Sequence, residues 1–263
     1  MTIVTCIKQV PASTEVDVDP KTGVLKRDSD FVKMNPYDLY ALEASFRLRA
    51  IMKEAVVHVV TMGPPAASKV LEEALYMGAD HGTLLSDIRF AGADVLATAH
   101  ALSQWIATLD HVDVIVCGKQ TTDGDTAQVG PEIAELLDWP HVPYVKEIVA
   151  VDEHGLTLKS AYEHHDETVR VAYPLLLTID KGFSVPRLPS YRRKKTFANH
   201  AITVASLKDL QDQNPENYGL RGSPTQVEAI FPPEKRQETT RLEGSGAVLA
   251  EALLNILKER KML

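Results

Sequence analysis

The chain opens on a short apolar run, Ile3–Val10, that stops at Pro11. A second run, Ala55–Met62 (AVVHVVTM), stops at Gly63-Pro64-Pro65, and two more follow at His81–Ser86 and Val112–Cys117 (VDVIVC). The stretches between them have helical spacing. Asn35 suits an N-cap and Pro36 a first helical position, and Leu39, Leu42, Phe46 and Leu48 to Ile51 supply the apolar stripe. Further helices are expected through Val70, Leu71, Leu75 and Met77 as far as Gly78, over Ala93–Leu109, and from the polar loop after Gly118 to Leu137. Strands that are apolar throughout, rather than alternating, are buried on both faces. The rhythm therefore predicts an α/β fold, a mostly parallel, doubly wound, Rossmann-like sheet with right-handed crossovers. Residues 15–30 read as a surface hairpin turning at Pro20–Gly23.

After Pro140 the pattern changes. Val145–Val151, Gly155–Tyr162 and Thr168–Tyr173 are separated by acidic turns and read as an antiparallel extension, and Pro174–Asp180 (PLLLTID) reads as another buried strand. From Lys181 no sustained apolar periodicity returns before Val248–Leu257. The expected division is an α/β domain over residues 1–185 and a C-terminal arm over 186–263, which gains its order on a partner.

Composition narrows the function classes. The 263 residues carry 28 Lys+Arg against 36 Asp+Glu, a net charge of −8, with 44% apolar residues. At roughly 150 residues per domain this is one large domain with an appendage. The acidic balance argues against a nucleic-acid binder. No apolar run nears the roughly 18 residues of a membrane span, and MTIVTCIKQV lacks the basic start and small-residue cleavage site of a signal peptide. Cys6 and Cys117 are the only cysteines, both in strand-like runs. That excludes a disulfide scaffold or a cysteine-rich metal site and favours a reduced, cytoplasmic protein.

In a parallel sheet, ligands sit beyond the carboxyl ends of the strands. Three segments fall there: Lys8–Pro11, Thr61–Pro65 and the long loop Gly118–Pro131. The loop leads into a helix, whose free amides and dipole suit a phosphate or diphosphate. Gly124 and Gly130 would let backbone approach a ligand, and Thr126 and Gln128 can donate. Asp123 and Asp125 repel phosphate and suit ribose hydroxyls, capping or loop orientation. An ordinary polar connection with a good cap explains the same residues, and the loop matches neither a P-loop nor Gly-x-Gly-x-x-Gly. Met34–Asp38 is a second candidate, where Asn35 and Asp38 would reach a nucleotide if the helix start faces the cleft; a plain helix cap is the alternative. No catalytic constellation stands out among the nine histidines. There is no His-x-x-x-His pair on a helix and no Gly-x-Ser-x-Gly elbow, so any chemistry would belong to a cofactor. Residues 187–195 (RLPSYRRKK) hold five basic residues with Leu188 and Tyr191 among them. That mixture suits either a solvated charge run or a docking surface for an acidic partner.

Taken in order, these motifs resemble the beta subunit of electron-transfer flavoproteins over essentially the whole chain. The carrying residues are Cys6–Pro11, Met34–Asp38 with Ala41-Leu42-Glu43, Thr61–Pro64, Met77–Asp80, Gly118–Gln120, Asp123–Pro131 and Pro186-Arg187. The resemblance implies a heterodimer with an alpha subunit carrying one FAD, and a nucleotide in the beta subunit that is AMP in simple carriers and a second FAD in bifurcating members. Ala127-Gln128-Val129-Gly130, where AMP-binding members usually have Asn-Gln-Thr-Gly, and the late Gly222–Val227 resemble the bifurcating type. The implied FAD site comprises Cys6, Asn35, Pro36, Tyr37, Asp38, Met62, Gly63 and Gln120 to Ile133, including Asp123, Gly124, Asp125, Thr126, Ala127, Gln128, Val129, Gly130 and Pro131, with Cys6 and Met62 contributing mainly backbone. It further implies NADH as reductant, ferredoxin or flavodoxin as low-potential acceptor, and a flavin dehydrogenase as partner. Recognition of that partner falls to Arg187, Leu188, Pro189, Tyr191, Arg192 and Arg193. Pro186-Arg187 runs at once into Leu188-Pro189, shorter than the family pattern, so the dehydrogenase is either acyl-CoA dehydrogenase-like or a hydroxyacid dehydrogenase. An AMP-holding, non-bifurcating carrier and a nucleotide-sensing α/β protein are the competing readings.

Overall fold

A computed structural model describes residues 1–12, 17–18, 25–26, 32–52, 54–196, 202–228 and 241–262. These form two compact units, Met1–Gln226 and Val227–Leu263. In the first, β1 (Thr2–Cys6) is followed by β2 (Gln9–Pro11), β3 (Asp17–Val18), β4 (Leu25–Lys26), β5 (Val32–Met34) and α1 (Pro36–Ile51). Next come β6 (Val56–Met62), α2 (Ser68–Met77), β7 (His81–Leu85), α3 (Val95–Ile106), β8 (Val114–Gly118) and α4 (Val129–Leu136). β9 (His141–Asp152), β10 (Gly155–Ala161), β11 (Asp166–Ala172), β12 (Leu175–Ile179), α5 (Tyr191–Thr196) and β13 (Ile202–Ala205) complete the unit.

Nine strands make one sheet in the order β11-β10-β9-β12-β8-β1-β6-β7-β13. From β9 to β13 every neighbour is parallel, while β9, β10 and β11 form the expected antiparallel extension. Each face carries its own core. Ile3, Val57, Val59, Val114 and Val116 pack with α1 and α2, and Val4, Val60, Ile115 and Cys117 pack with α3 and α4. This is the double covering that apolar strands require. The chain winds outward from β1 through β6 and β7, then returns to the other side of β1 as β8. The strand order therefore reverses between β1 and β8, where a doubly wound sheet opens a crevice at its carboxyl edge.

The first unit runs beyond the 185/186 boundary expected from sequence. Ile202–Ala205 pairs in parallel with β7, and the segment after it lies on α3, where Asp212 accepts from His100 and Tyr218 is buried. The predicted hairpin at 15–30 is present as β3 paired with β4; its turn, Pro20–Gly23, lies outside the described residues. In the second unit α6 (Gly246–Glu259) has no buried residue, and Val248, Leu253 and Leu254 are exposed.

His58 faces the second core, edge-on to Trp105 at 5.0 Å, with its Nε2 2.8 Å from Thr83 Oγ1. Burial, aided by the charge of His81, pulls it from 6.5 down to about 4. The unfolded chain therefore takes up this proton first, and the stability that neutral His58 confers is complete above about pH 6.5 and drains as pH falls toward 4. His58→Gln should remove on the order of 2 kcal/mol of that acid-side loss, read from urea midpoints at pH 7 and pH 4.5. Parallel losses in both proteins would contradict it.

Candidate functional site

Four segments meet at the crevice. The first is Ile7–Gln9, which continues β1. β2 pairs with β5 so that Gln9 faces Met34, and this brings the start of α1 against the end of β1, with Asn35 N donating to Lys8 O at 2.8 Å. The third is the end of β8 with the loop to α4. The fourth, Met62–Ala67 after β6, is tied in by Gln9 Nε2, 3.1 Å from Ala66 O.

The carboxylate of Asp38 joins the first three. Lys8 N donates to its Oδ2 at 2.7 Å, Asn35 Nδ2 donates to its Oδ1 at 2.9 Å, and the Gly118 backbone lies against it. Only glycine permits this at 118. A Cβ there would collide with Asp38 Oδ1 and lie 2.9 Å from the Tyr37 carbonyl carbon. Asn35 occupies the N-cap position but makes no side-chain cap. Its amide instead reaches across the crevice, donating to Gln120 O at 2.9 Å and accepting from Thr122 N at 3.3 Å. Burial pushes the Asp38 carboxyl up to about 7, while bonds from Asn35 and Lys8 and the Lys8 charge favour its anion.

The loop is polar, and both of its aspartates are engaged. Asp123 pairs with Lys8 Nζ at 2.8 Å; burial opposes its charge, but Lys8 and Thr121 outweigh that and hold the carboxyl below its ordinary value. Asp125 accepts from Gln120 Nε2. Asp125 and Ala127 have φ of 55° and 56°, left-handed values that are uncommon for residues other than glycine and cost about 1–2 kcal/mol each. The loop is thus held in a strained path into α4. Cys6 and Cys117 are paired neighbours on β1 and β8. The neighbouring Cys6 thiol and burial push the Cys117 thiol well up, so it stays protonated.

Of the residues singled out from sequence, the crevice gathers Cys6, Asn35, Asp38, Gln120 and the Asp123–Pro131 loop. Asp123–Thr126 and Gln128 are exposed, Pro36, Tyr37, Met62 and Gly63 half-buried at the flanking ends. Asn35 and Asp38 spend their polar atoms on the protein itself. At Gly124 the protein itself leaves room, since its backbone is not left-handed and a Cβ would meet only Thr121 Oγ1 at 3.5 Å. Gly130 serves packing, because a Cβ would sit 2.7 Å from Thr178 Cγ2. Lys8 and Gly118, read only as parts of motifs, prove central.

The basic segment also divides. Arg187 forks onto buried Glu43 at 2.8 and 3.0 Å and lies over Phe46 at 4.6 Å. Burial opposes the Glu43 charge, and Arg187 overcomes this to hold the carboxyl low. Arg193 donates to Leu75 O and Ala79 O, at 3.0 and 2.7 Å, closing the end of α2. Both arginines are clamps. Between and beside them Val185, Leu188 and Tyr191 are 88%, 86% and 72% exposed, with Arg192, Lys194 and Lys195 exposed around them.

Residues 22–209 match the model of the electron transfer flavoprotein domain. The chain is 42% identical to the electron transfer flavoprotein subunit beta of Clostridium acetobutylicum, over 95% of this chain and 92% of that protein. It is 38% identical to the caffeyl-CoA reductase-Etf complex subunit CarD of Acetobacterium woodii across the full length of both. It is also 39% identical to protein FixA of Sinorhizobium fredii, over 90% and 85%.

The close approach at Gly118 and the open space at Gly124 give opposite expectations. Gly118→Ala should lower stability by about 2–4 kcal/mol through overpacking and loss of the Asp38 bonds. Gly124→Ala should stay within about 0.5 kcal/mol of the parent. Equal melting temperatures for the two variants would contradict this account of the crevice.

Proposed function

The chain belongs to the electron transfer flavoprotein family, matching its beta subunits over nearly their whole length, and from that premise we propose that it is the FAD-holding beta subunit of an NADH-dependent bifurcating heterodimer. The observation that carries the reading is the Asn35-braced loop at the switch point. It presents the amides at the start of α4 beside two engaged aspartates, Asp123 with its charge paired to Lys8 and Asp125 turned onto the Gln120 amide. Such a donor set tolerates an anionic diphosphate, which free carboxylates would repel.

FAD bound there would supply hydride acceptance from NADH and the division of that pair into single electrons. The chain's own part is to bind, orient and shield. Asp123–Gln128 and the α4 amides would hold the diphosphate and ribose, Asn35 fixes the path of the loop, and Met62 and Gly63 would border the nucleotide. Cys117, kept protonated, offers no thiolate to a flavin. One electron would pass to the alpha-subunit FAD and then to a flavin dehydrogenase, the other to ferredoxin or flavodoxin. The likeness to a subunit of the caffeyl-CoA reductase-Etf complex favours this over a simple carrier.

Leu188 and Tyr191, held out between the Arg187 and Arg193 clamps and ringed by Arg192, Lys194 and Lys195, would dock an acidic face of the dehydrogenase through an apolar anchor and a basic rim. The apolar stripe of α6, with no buried residue in this chain, would lie on the alpha subunit. Among the described residues no helix is long and apolar enough to cross a membrane.

The purified alpha–beta pair should contain two FAD and bleach on adding NADH. One FAD with one AMP, unbleached by NADH, would make this subunit an AMP-holding carrier instead. Arg192→Glu should slow electron transfer to the dehydrogenase several-fold at low salt and keep full flavin content. Arg193→Glu should instead lower the melting temperature. An unchanged transfer rate in Arg192→Glu would remove the basic rim from the docking surface.

A further inference from the structure

The geometry points to Asp38 as a positioning residue that holds the nucleotide loop, through Asn35, only while its carboxyl is ionised. This rests on the reading of the crevice as an adenine-nucleotide site, and adds a proton-linked latch to it.

Asp38 is 4% exposed, its two oxygens accept from Lys8 N and Asn35 Nδ2, and the Gly118 backbone closes over them. It therefore acts on a ligand only through a neighbour. That neighbour is Asn35, fully buried, whose amide faces three groups at once. Gln120 O can only accept, and Thr122 N can only donate. The two together dictate which way the amide points, with Nδ2 toward Gln120 O and Oδ1 toward Thr122 N. In that orientation Nδ2 also faces Asp38 Oδ1, so Asp38 must accept there. Ionised Asp38 satisfies every requirement.

Protonated Asp38 does not. A hydrogen on Oδ1 would face the Nδ2 donor of Asn35. Rotating the amide would relieve that clash but turn Oδ1 onto Gln120 O and Nδ2 onto Thr122 N–H, leaving both loop contacts with like groups opposed. A hydrogen on Oδ2 would keep the Asn35 bond but oppose Lys8 N–H and loosen Lys8, whose carbonyl holds Asn35 N and whose Nζ holds Asp123 of the loop. Either protonated form gives up a buried hydrogen bond and leaves its donor unsatisfied. The ionisable groups facing Asp38 are Lys8 from the chain after β1 and Cys117 from β8; Lys8 is itself shared with Asp123, and the Cys117 thiol is held protonated. Burial places the carboxyl at about 7, so the latch would change state in the neutral range.

If the ordered loop binds the nucleotide and needs the anion, binding releases a proton below about pH 7 and affinity falls with pH. The test is calorimetry on the nucleotide-stripped alpha–beta pair between pH 6 and 8.5. The probes are FAD and ADP-ribose, whose diphosphates do not titrate in that range. Affinity for the beta site should fall about 3–10-fold from pH 8 to pH 6, with proton release near pH 7 seen as a dependence of the heat on buffer ionisation. Asp38→Asn, permanently neutral, should bind weakly with a flatter profile. Flat wild-type affinity without proton release would overturn the latch, as would an Asp38→Asn protein with the parental slope. If that variant does not fold, the wild-type profile decides alone. Tight but pH-independent binding sinks only the latch, whereas no binding of either probe at any pH sinks the nucleotide reading as well.

Discussion

The crevice depends on one buried carboxylate. Asp38 lies where β1, the start of α1 and the end of β8 converge, accepting bonds from the first two and packing against the third at Gly118. Desolvating a carboxylate is costly unless hydrogen bonds replace its water. Its presence is therefore a constraint on everything around it. Residue 118 has to be glycine, Asn35 has to turn away from capping its own helix, and Lys8 has to lie close enough to serve both Asp38 and Asp123. The loop that follows β8 inherits its path from these demands, down to the left-handed residues Asp125 and Ala127.

The same logic organises the basic segment. Five cations in nine residues look interchangeable along the chain, but two are consumed within the fold. Glu43 sits five residues beyond Asp38 on α1 and binds Arg187, while Arg193 takes up the carbonyls at the end of α2. Leu188 and Tyr191 are thereby fixed in place while remaining uncovered. A surface prepared in this way loses little freedom when a partner arrives. The crevice and the basic segment are thus linked through one helix, since α1 supplies both Asp38 and Glu43.

Much of this architecture was legible in the residues. Runs such as AVVHVVTM and VDVIVC carry the signature of strands buried on both faces, and the acidic turns after Pro140 mark the antiparallel extension. Ile202–Ala205 was missed because an edge strand of four residues, with Thr203 and Val204 exposed, leaves no periodicity to read. The short helix α5 lay concealed in a run of charge. At the site, the loop and Asn35–Asp38 were identified from sequence, but their division of labour was not. Asn35 and Gln120 are 85 positions apart, and Arg187 and Glu43 are 144 apart. No local pattern encodes such pairings. Gly124 drew attention because a glycine in the loop would let backbone approach a ligand, whereas the glycine that sterics within the chain demand, Gly118, looked like the plain end of a strand.

The central claim is that the corner between β1 and β8 grips a dinucleotide. Amide hydrogen exchange in the alpha–beta pair, with the beta-site FAD present and after its removal, tests it most directly. The account predicts slower exchange over residues 118–131 and 35–38 when FAD is bound, with β10 and β11 unchanged. Identical exchange in that corner with and without FAD would contradict it.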